Sequence, residues 1–145
     1  MAKNRSTIID SPDLSLEQKV INLILCVALD KKREIDQRLE GVLQSFLQLK
    51  LLHSLAHAPD GRLTVGELRS LMDERSPNVS RTLNKLADLG LVEKVRSTED
   101  QRTVHVSITE AGRLAHEEGD VRLMELSTGL DEDEQKRLFD LLVKL

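Results

Sequence analysis

The hydrophobic residues of this chain recur mostly at the spacing of amphipathic helices, and the pattern is clearest in residues 76–90. There Val79, Leu83 and Leu86 lie three or four positions apart, so they form one apolar stripe along a helix. Gly90 follows the stripe and suits the left-handed conformation in which many helices end. The pattern predicts a helix with one buried face and one polar face.

The start and the polar face of this helix also have clear signals. Ser76 can accept a hydrogen bond from a free amide of the first turn, and Pro77 needs no donor there. Arginine and asparagine suit the edges of guanine and adenine, whereas serine and lysine suit phosphates. The polar face carries these residue types: Asn78, Ser80, Arg81, Asn84 and Lys85. An ordinary solvated helix would look the same, so this face alone does not establish DNA binding.

A second short helix is predicted just before residue 73. Thr64 and Glu67 have the spacing of a capping box, in which each side chain binds the other residue's backbone amide. The helix that they begin would turn Leu68, Leu71 and Met72 inward. Two short helices joined by a polar turn form a candidate helix-turn-helix.

The residues after Gly90 predict a β-hairpin. Residues 91–96 form a strand pattern, residues 97–102 are a polar turn, and residues 103–108 alternate between polar and apolar side chains. Arg62 and Leu63 can add a third short strand. A helix-turn-helix followed directly by such a hairpin is a winged helix, so the fold class is mainly α with a small β-hairpin wing.

Helices are also predicted on both sides of the winged helix. Capping signals predict helices over residues 15–40, 45–58, 110–127 and 131–145, and residues 1–12 are polar and expected to be frayed. Residues 20–29 are apolar on nearly all sides, and the last helix carries a stripe of leucines. These apolar surfaces need cover from packing within one subunit or from a second subunit.

Several segments together resemble the MarR family of prokaryotic winged-helix transcription factors. They are the capped helix from Thr64, the helix 76–90, the wing residues Asp100-Gln101-Arg102, and Thr109-Glu110-Ala111-Gly112 after the second strand. The resemblance covers most of the chain from about residue 39. It implies one domain over residues 1–145, with a DNA-binding part at about 43–109 and dimerisation helices at about 15–40 and 110–145.

The resemblance also implies a function. A homodimeric regulator, expected to be a repressor released by a small ligand or a stress signal, would bind an inverted repeat in duplex DNA. Arg102 would enter the minor groove at the wing tip, and Asp100 would hold its guanidinium. Lys94 and Arg96 would add positive charge from the preceding strand.

Charge and composition bear on which partner the predicted winged helix would bind. The formal net charge is −4, but residues 75–105 carry six basic and four acidic residues, so the local excess is positive. Two phenylalanines are the only Phe, Tyr or Trp residues, which nearly excludes a base-stacking surface for single strands. A winged-helix module that binds a protein and not DNA is the leading alternative, because the net charge is acidic and the wing has few cations.

The compartment is expected to be the cytoplasm. One cysteine excludes an intramolecular disulfide, and no apolar run reaches the length of a membrane span. The polar N-terminus lacks the core of a signal peptide. We expect no interaction with a membrane.

Three further groups of residues were considered for chemistry. Cys26 is a candidate redox sensor, but sensors of this family use nearby tyrosines, which this chain lacks, so an inert core thiol is favoured. His53 and His57 share one helix face, but a metal site needs more ligands and the position of His116 does not follow from sequence. We therefore predict no metal, no cofactor and, since no catalytic motif is present, no enzyme.

Overall fold

The computed structural model describes residues 2–72, 78–100 and 102–145, with side chains from residue 5 onward. The described helices are α1 (Ala2–Ile9), α2 (Leu16–Leu39), α3 (Phe46–Ala56), α4 (Val65–Leu71), α5 (Asn78–Asp88), α6 (Glu110–Met124) and α7 (Glu132–Leu142). The strands are β1 (Arg62–Thr64), β2 (Val92–Arg96) and β3 (Val104–Ile108), and a 3-10 turn covers Pro59–Gly61. The predicted fold class, mainly α with a small wing, is confirmed.

The three strands form one antiparallel sheet in the order β1-β3-β2. Val92 lies opposite Ile108 and Arg96 opposite Val104, so β2 and β3 form the predicted hairpin. Leu63 of β1 lies opposite Val106 on the other edge of β3. The predicted third strand is confirmed, and it connects the wing to the start of α4.

Local capping signals account for most helix starts. The capping boxes predicted at Ser15 and Thr64 are both formed, and Thr109 accepts from the amide of Gly112. Asp131 and Glu134 form a further capping box at the start of α7. Gly90 has the predicted left-handed conformation, with φ of 71°, and the amide of Leu91 donates to the carbonyl of Leu86.

The core lies around α3, where Leu49, Leu51, Leu52 and Leu55 are almost fully buried. Leu39 of α2, Leu68 of α4 and Val106 of β3 are also buried in this cluster. Because α3 contacts α5, α6 and the sheet, it is the central element on which the helix-turn-helix and the wing are packed.

Two predictions about local structure are wrong. Residues 2–9 form a helix and are not frayed: the Arg5 guanidinium pairs with Asp30 at 2.7 Å, and Lys19 Nζ donates to the carbonyl of Ile9. Leu71 does not turn inward, since 59% of it is exposed. In the short helix α4, the buried face is made by Leu68 and Met72, four residues apart, which directs Leu71 to the neighbouring surface.

The outer helices expose many large apolar side chains. In α2 these are Leu16, Val20, Ile21, Ile24, Leu25, Val27 and Leu29, and α7 buries none of its residues. Within the described residues, no helix is both long and apolar enough to span a membrane. A single chain therefore leaves the predicted apolar helix surfaces uncovered.

Candidate nucleic-acid interface

The helix α5 has the two faces that its sequence predicts. Val79, Leu83 and Leu86 are fully buried against the core. The residues Asn78, Arg81, Asn84 and Lys85 are exposed, and Ser80 is half-buried. Ser76 and Pro77 lie outside the described residues. The described part of α5 is therefore a helix whose polar face is accessible to a large partner.

Two side-chain hydrogen bonds connect α5 to its neighbours. Arg69 Nη2 on α4 donates to Ser80 Oγ at 2.6 Å, and Lys94 Nζ on β2 donates to Asn84 Oδ1 at 2.6 Å. An amide oxygen has two lone pairs, so Asn84 retains an acceptor site as well as its two N–H donors. These contacts hold α5 in place, and Asn84 keeps one lone pair on Oδ1 and its two N–H donors for an adenine edge.

The turn of the wing is held by Asp100. Its Oδ1 accepts from the backbone amide of Arg102 at 2.9 Å, and its Oδ2 accepts from the Thr103 hydroxyl at 2.9 Å. These two hydrogen bonds lower the pKa of Asp100. Among the described residues the carboxylate binds the turn, and the exposed Arg102 guanidinium forms no ion pair with it. That Asp100 holds the Arg102 guanidinium on DNA stays a prediction.

Two open grooves adjoin α5, each of about 520 Å³. The groove toward the wing is lined in part by Arg69, Lys94 and Arg102, and the other by Lys32, Lys50, Arg81 and Lys85. No aspartate or glutamate lines either groove among the described residues. None of the seven cations forms an ion pair with a described carboxylate, so their charge is available to a polyanion.

Three of these cations were not predicted from the sequence. Lys32 is on α2, Lys50 on α3 and Arg69 on α4. They reach the grooves only because these helices pack beside α5, and no local pattern marks them. Arg96 is exposed on β2, as predicted, but does not line either groove.

Cys26 is half-exposed on α2 in the single chain, between exposed apolar residues. The core position favoured from sequence is therefore not formed within one subunit. The assignment of Cys26 as a redox sensor stays an untested prediction.

Comparison with known families supports the resemblance found in the sequence. The model of the MarR family matches residues 45–103, which include α3, the helix-turn-helix and the hairpin as far as its turn. Residues 45–103 therefore resemble the MarR family. MarR proteins are transcriptional regulators, and this chain has their winged-helix architecture.

Solved structures of MarR proteins extend the match to nearly the whole chain. A mutant MarR from E. coli, complexed with operator DNA, is 27% identical, with a TM-score of 0.72 over 90% of this chain and 98% of that chain. A MarR-like transcription regulator from Bacillus cereus is 20% identical, with a TM-score of 0.79 over 88% and 94%. The PcaV transcriptional regulator from Streptomyces coelicolor, complexed with its natural ligand, is 20% identical, with a TM-score of 0.75 over 92% and 96%. No curated protein matches the sequence.

Proposed function

We propose that this chain is a MarR-type regulator: a homodimeric, sequence-specific DNA-binding protein that represses transcription until a small ligand or a stress signal releases it. The observation that carries the proposal is the pair of grooves beside α5, which hold seven cations that form no ion pair with a described carboxylate. In a chain with a net charge of −4, such a separation of charge favours a polyanionic partner at this surface.

We assign the recognition of the DNA base sequence to the exposed face of α5. A helix of this kind fits the major groove of duplex DNA, where Arg81 can donate to guanine and Asn84 to adenine. Lys85 and the cations from neighbouring helices are assigned to phosphates, which fix the position of the protein without reading bases. Arg102 extends from the wing toward the minor groove, with Lys94 and Arg96 adding charge.

We assign the dimer interface to the apolar surface of α2, α6 and α7, where a second subunit would pack. Exposed apolar patches of this extent are unusual on a monomer and are typical of subunit interfaces. A two-fold dimer would place its two copies of α5 about 34–36 Å apart for successive major grooves, which requires an inverted-repeat site. The single domain would then have its DNA-binding part at about 43–109 and its dimerisation helices on either side.

The effector is assigned to a pocket between α3, α4 and α6. Its volume is about 360 Å³, which is enough for a small molecule, and its lining includes Phe46, Leu71 and Leu123. The pocket joins the helix-turn-helix part to a helix of the proposed dimer interface. A ligand that binds more tightly to one relative position of these parts would change the spacing of the two α5 helices.

The first experiment selects fragments of the source genome on the purified protein and measures the selected sites by fluorescence anisotropy across a salt series. We expect tight binding to an inverted repeat, with an affinity that falls steeply as salt increases. Uniformly weak binding at every sequence would contradict the proposal and favour the protein-binding module.

The double variant Arg81→Ala with Arg102→Ala then tests the surface. Each lost base contact costs roughly 1–3 kcal/mol of binding free energy, so operator affinity should fall at least about thirtyfold. The control is Lys136→Ala with Arg137→Ala, which removes two cations from α7. With light scattering used to verify that this variant keeps the mass of a dimer, its operator affinity should be unchanged. If both double variants lowered operator affinity equally, the loss would come from the change in overall charge and not from this surface.

A further inference from the structure

Three of the four histidines meet at one point between α3 and α6. His53 and His57 lie on one face near the end of α3, with ring centroids 4.2 Å apart. His116 of α6 reaches them, and its Nε2 lies 3.0 Å from His53 Nδ1. One ring nitrogen from each of the three residues lies within 4.8 Å of the others.

The cluster combines a buried anchor with an open side. His116 is only 7% exposed, so its ring position is fixed by packing, whereas His53 and His57 are exposed. A cation can therefore approach from solvent and meet a ligand that is already placed. The exposed pair can adjust its rotamers without disturbing the core.

Hydrogen bonds around the cluster favour the metal-binding form of the rings. The backbone carbonyl of His53 can only accept, so His57 Nδ1, at 2.9 Å, must be the donor. The neutral His57 ring then has its lone pair on Nε2, the arrangement that a carbonyl hydrogen-bonded to the other ring nitrogen imposes on metal-binding histidines. His116 Nε2 faces both His53 Nδ1 and, at 3.2 Å, Asp120 Oδ2. One of the two rings must donate the proton of the His53–His116 contact, and a metal cation bound there would displace this proton.

We propose that His53, His57 and His116 bind one divalent transition-metal ion of the Zn²⁺ type, with the fourth ligand supplied by water or by the Asp120 carboxylate after its side chain rotates toward the three rings. Tetrahedral Zn²⁺ has ligand bonds of about 2.0–2.2 Å, so its ligand atoms lie about 3.3 Å from one another. The separations of 3.0 Å and 3.2 Å at His116 are already close to this value. The widest pair of nitrogens must close by at most about 1.5 Å, which rotation of an exposed histidine can supply.

The ligand types set the class of metal. Imidazole nitrogens suit Zn²⁺, Cu²⁺ and Ni²⁺, whereas Mg²⁺ and Ca²⁺ require sites rich in oxygen.

His57 caps the end of α3 and His53 lies within it, so the ion would connect α3 directly to α6. His53 and Asp120 also line the pocket assigned to the effector. A consequence for operator affinity rests on the proposed function, but metal binding itself does not.

The site is tested on the full chain without an affinity tag, after treatment with a chelator. Co²⁺ is added to follow the visible absorption of a tetrahedral site, and Zn²⁺ affinity is measured in competition with a chromophoric chelator. We expect one ion per chain. His57→Gln should weaken Zn²⁺ binding by more than about tenfold, since even the loss of a group that only hydrogen-bonds to a ligand costs about 10–100-fold in affinity.

His105 provides the matched control, because it is the remaining histidine and lies on β3, away from the cluster. His105→Gln should bind Zn²⁺ as tightly as the wild type. His116→Gln should abolish the site, with circular dichroism used to verify the fold. Absence of saturable 1:1 binding, or equal affinity in the wild type and His57→Gln, would overturn the proposal.

Operator anisotropy with and without Zn²⁺ is measured separately from metal binding. A chain that binds Zn²⁺ but no DNA would retain the metal site and refute the proposed function. A chain that binds DNA but no Zn²⁺ would refute the metal site and retain the proposed function.

Discussion

At the scale of single residues, Asp100 holds the turn of the wing. Both of its oxygens accept hydrogen bonds within the turn, from the amide of Arg102 and the hydroxyl of Thr103. Because these bonds lower its pKa, Asp100 stays ionised to a more acidic pH than an ordinary aspartate does. Its contribution to the turn is present above the ordinary value of 3.8 and is lost as pH falls through the lowered pKa.

Replacing Asp100 separates its effect on the turn from the effect of its charge. Asp100→Ala removes two hydrogen bonds and should weaken operator binding several-fold by loosening the turn that presents Arg102. Asp100→Asn keeps an acceptor and removes a negative charge near phosphates, so we expect affinity equal to or above that of the wild type. The measurement is anisotropy at fixed salt. Equal losses in both variants would favour a direct role for the carboxylate beside the guanidinium.

Residue-level predictions from sequence succeeded where the signal was local. The polar positions of α5 followed from helical spacing, and the cap at Thr109 followed from the residues around it. The approach of His116 to His53 joins positions 63 residues apart. The placement of Lys50 beside Arg81 likewise depends on how α3 and α5 pack. Neither arrangement has a local pattern, so sequence reasoning could not find it.

At the scale of elements, the start of α6 is packed tightly against the end of the helix-turn-helix. Thr109 Oγ1 donates to the carbonyl of Gly90 at 2.7 Å and accepts from the amide of Gly112. The backbone amide of Thr109 also donates to the carbonyl of Leu91. A Cβ atom on Gly112 would overlap that same carbonyl oxygen, so only glycine fits this joint.

Gly112→Ala should therefore destabilise the protein by roughly 1–3 kcal/mol, because backbone must move to admit one methyl group. The control is Gly66→Ala in α4, where a Cβ meets only Thr64 Oγ1, at 3.9 Å. Alanine should leave stability unchanged or raise it there by up to about 1 kcal/mol. Urea unfolding measures the change in the free energy of unfolding for both variants, provided that its dependence on urea concentration has the same slope as in the wild type. If Gly112→Ala left the free energy of unfolding unchanged, α6 would be able to shift away from β2 at little energetic cost.

The elements that were predicted incorrectly share one cause. The helix α1 has a polar sequence with no apolar stripe, and contacts with α2 through Arg5 and Lys19 hold it. The direction of Leu71 was wrong because α4 has only seven residues and its rotation is fixed by burial of Met72. Tertiary packing overrides the local pattern in short elements, where the pattern contains few residues.

At the scale of the whole molecule, the exposed apolar helices predict a dimer in solution. Leu25 of α2 and Leu141 of α7 are 58% and 60% exposed in the single chain. The variant Leu25→Glu with Leu141→Glu would place four charges in the proposed interface, so we expect a monomer by light scattering. Operator affinity should fall by about 10²–10⁴-fold, because the two half-sites would no longer be bound by one linked molecule.

Leu89→Glu is the matched control for oligomeric state. Leu89 is also exposed, at 51%, but it follows α5 and lies outside the three helices of the proposed interface. This variant should keep the mass of a dimer. A wild-type chain that is monomeric at every concentration would contradict the dimer, whatever the behaviour of the variants.

The separation of the apolar helices from the basic grooves has a genetic consequence. A chain altered only at Arg81 and Arg102 keeps α2, α6 and α7 unchanged, so it can still pair with intact chains in the same cell. With equal amounts and random pairing, roughly a quarter of the dimers would contain two intact subunits. We expect such an allele to be dominant over the wild type, whereas an allele that disrupts α7 should be recessive.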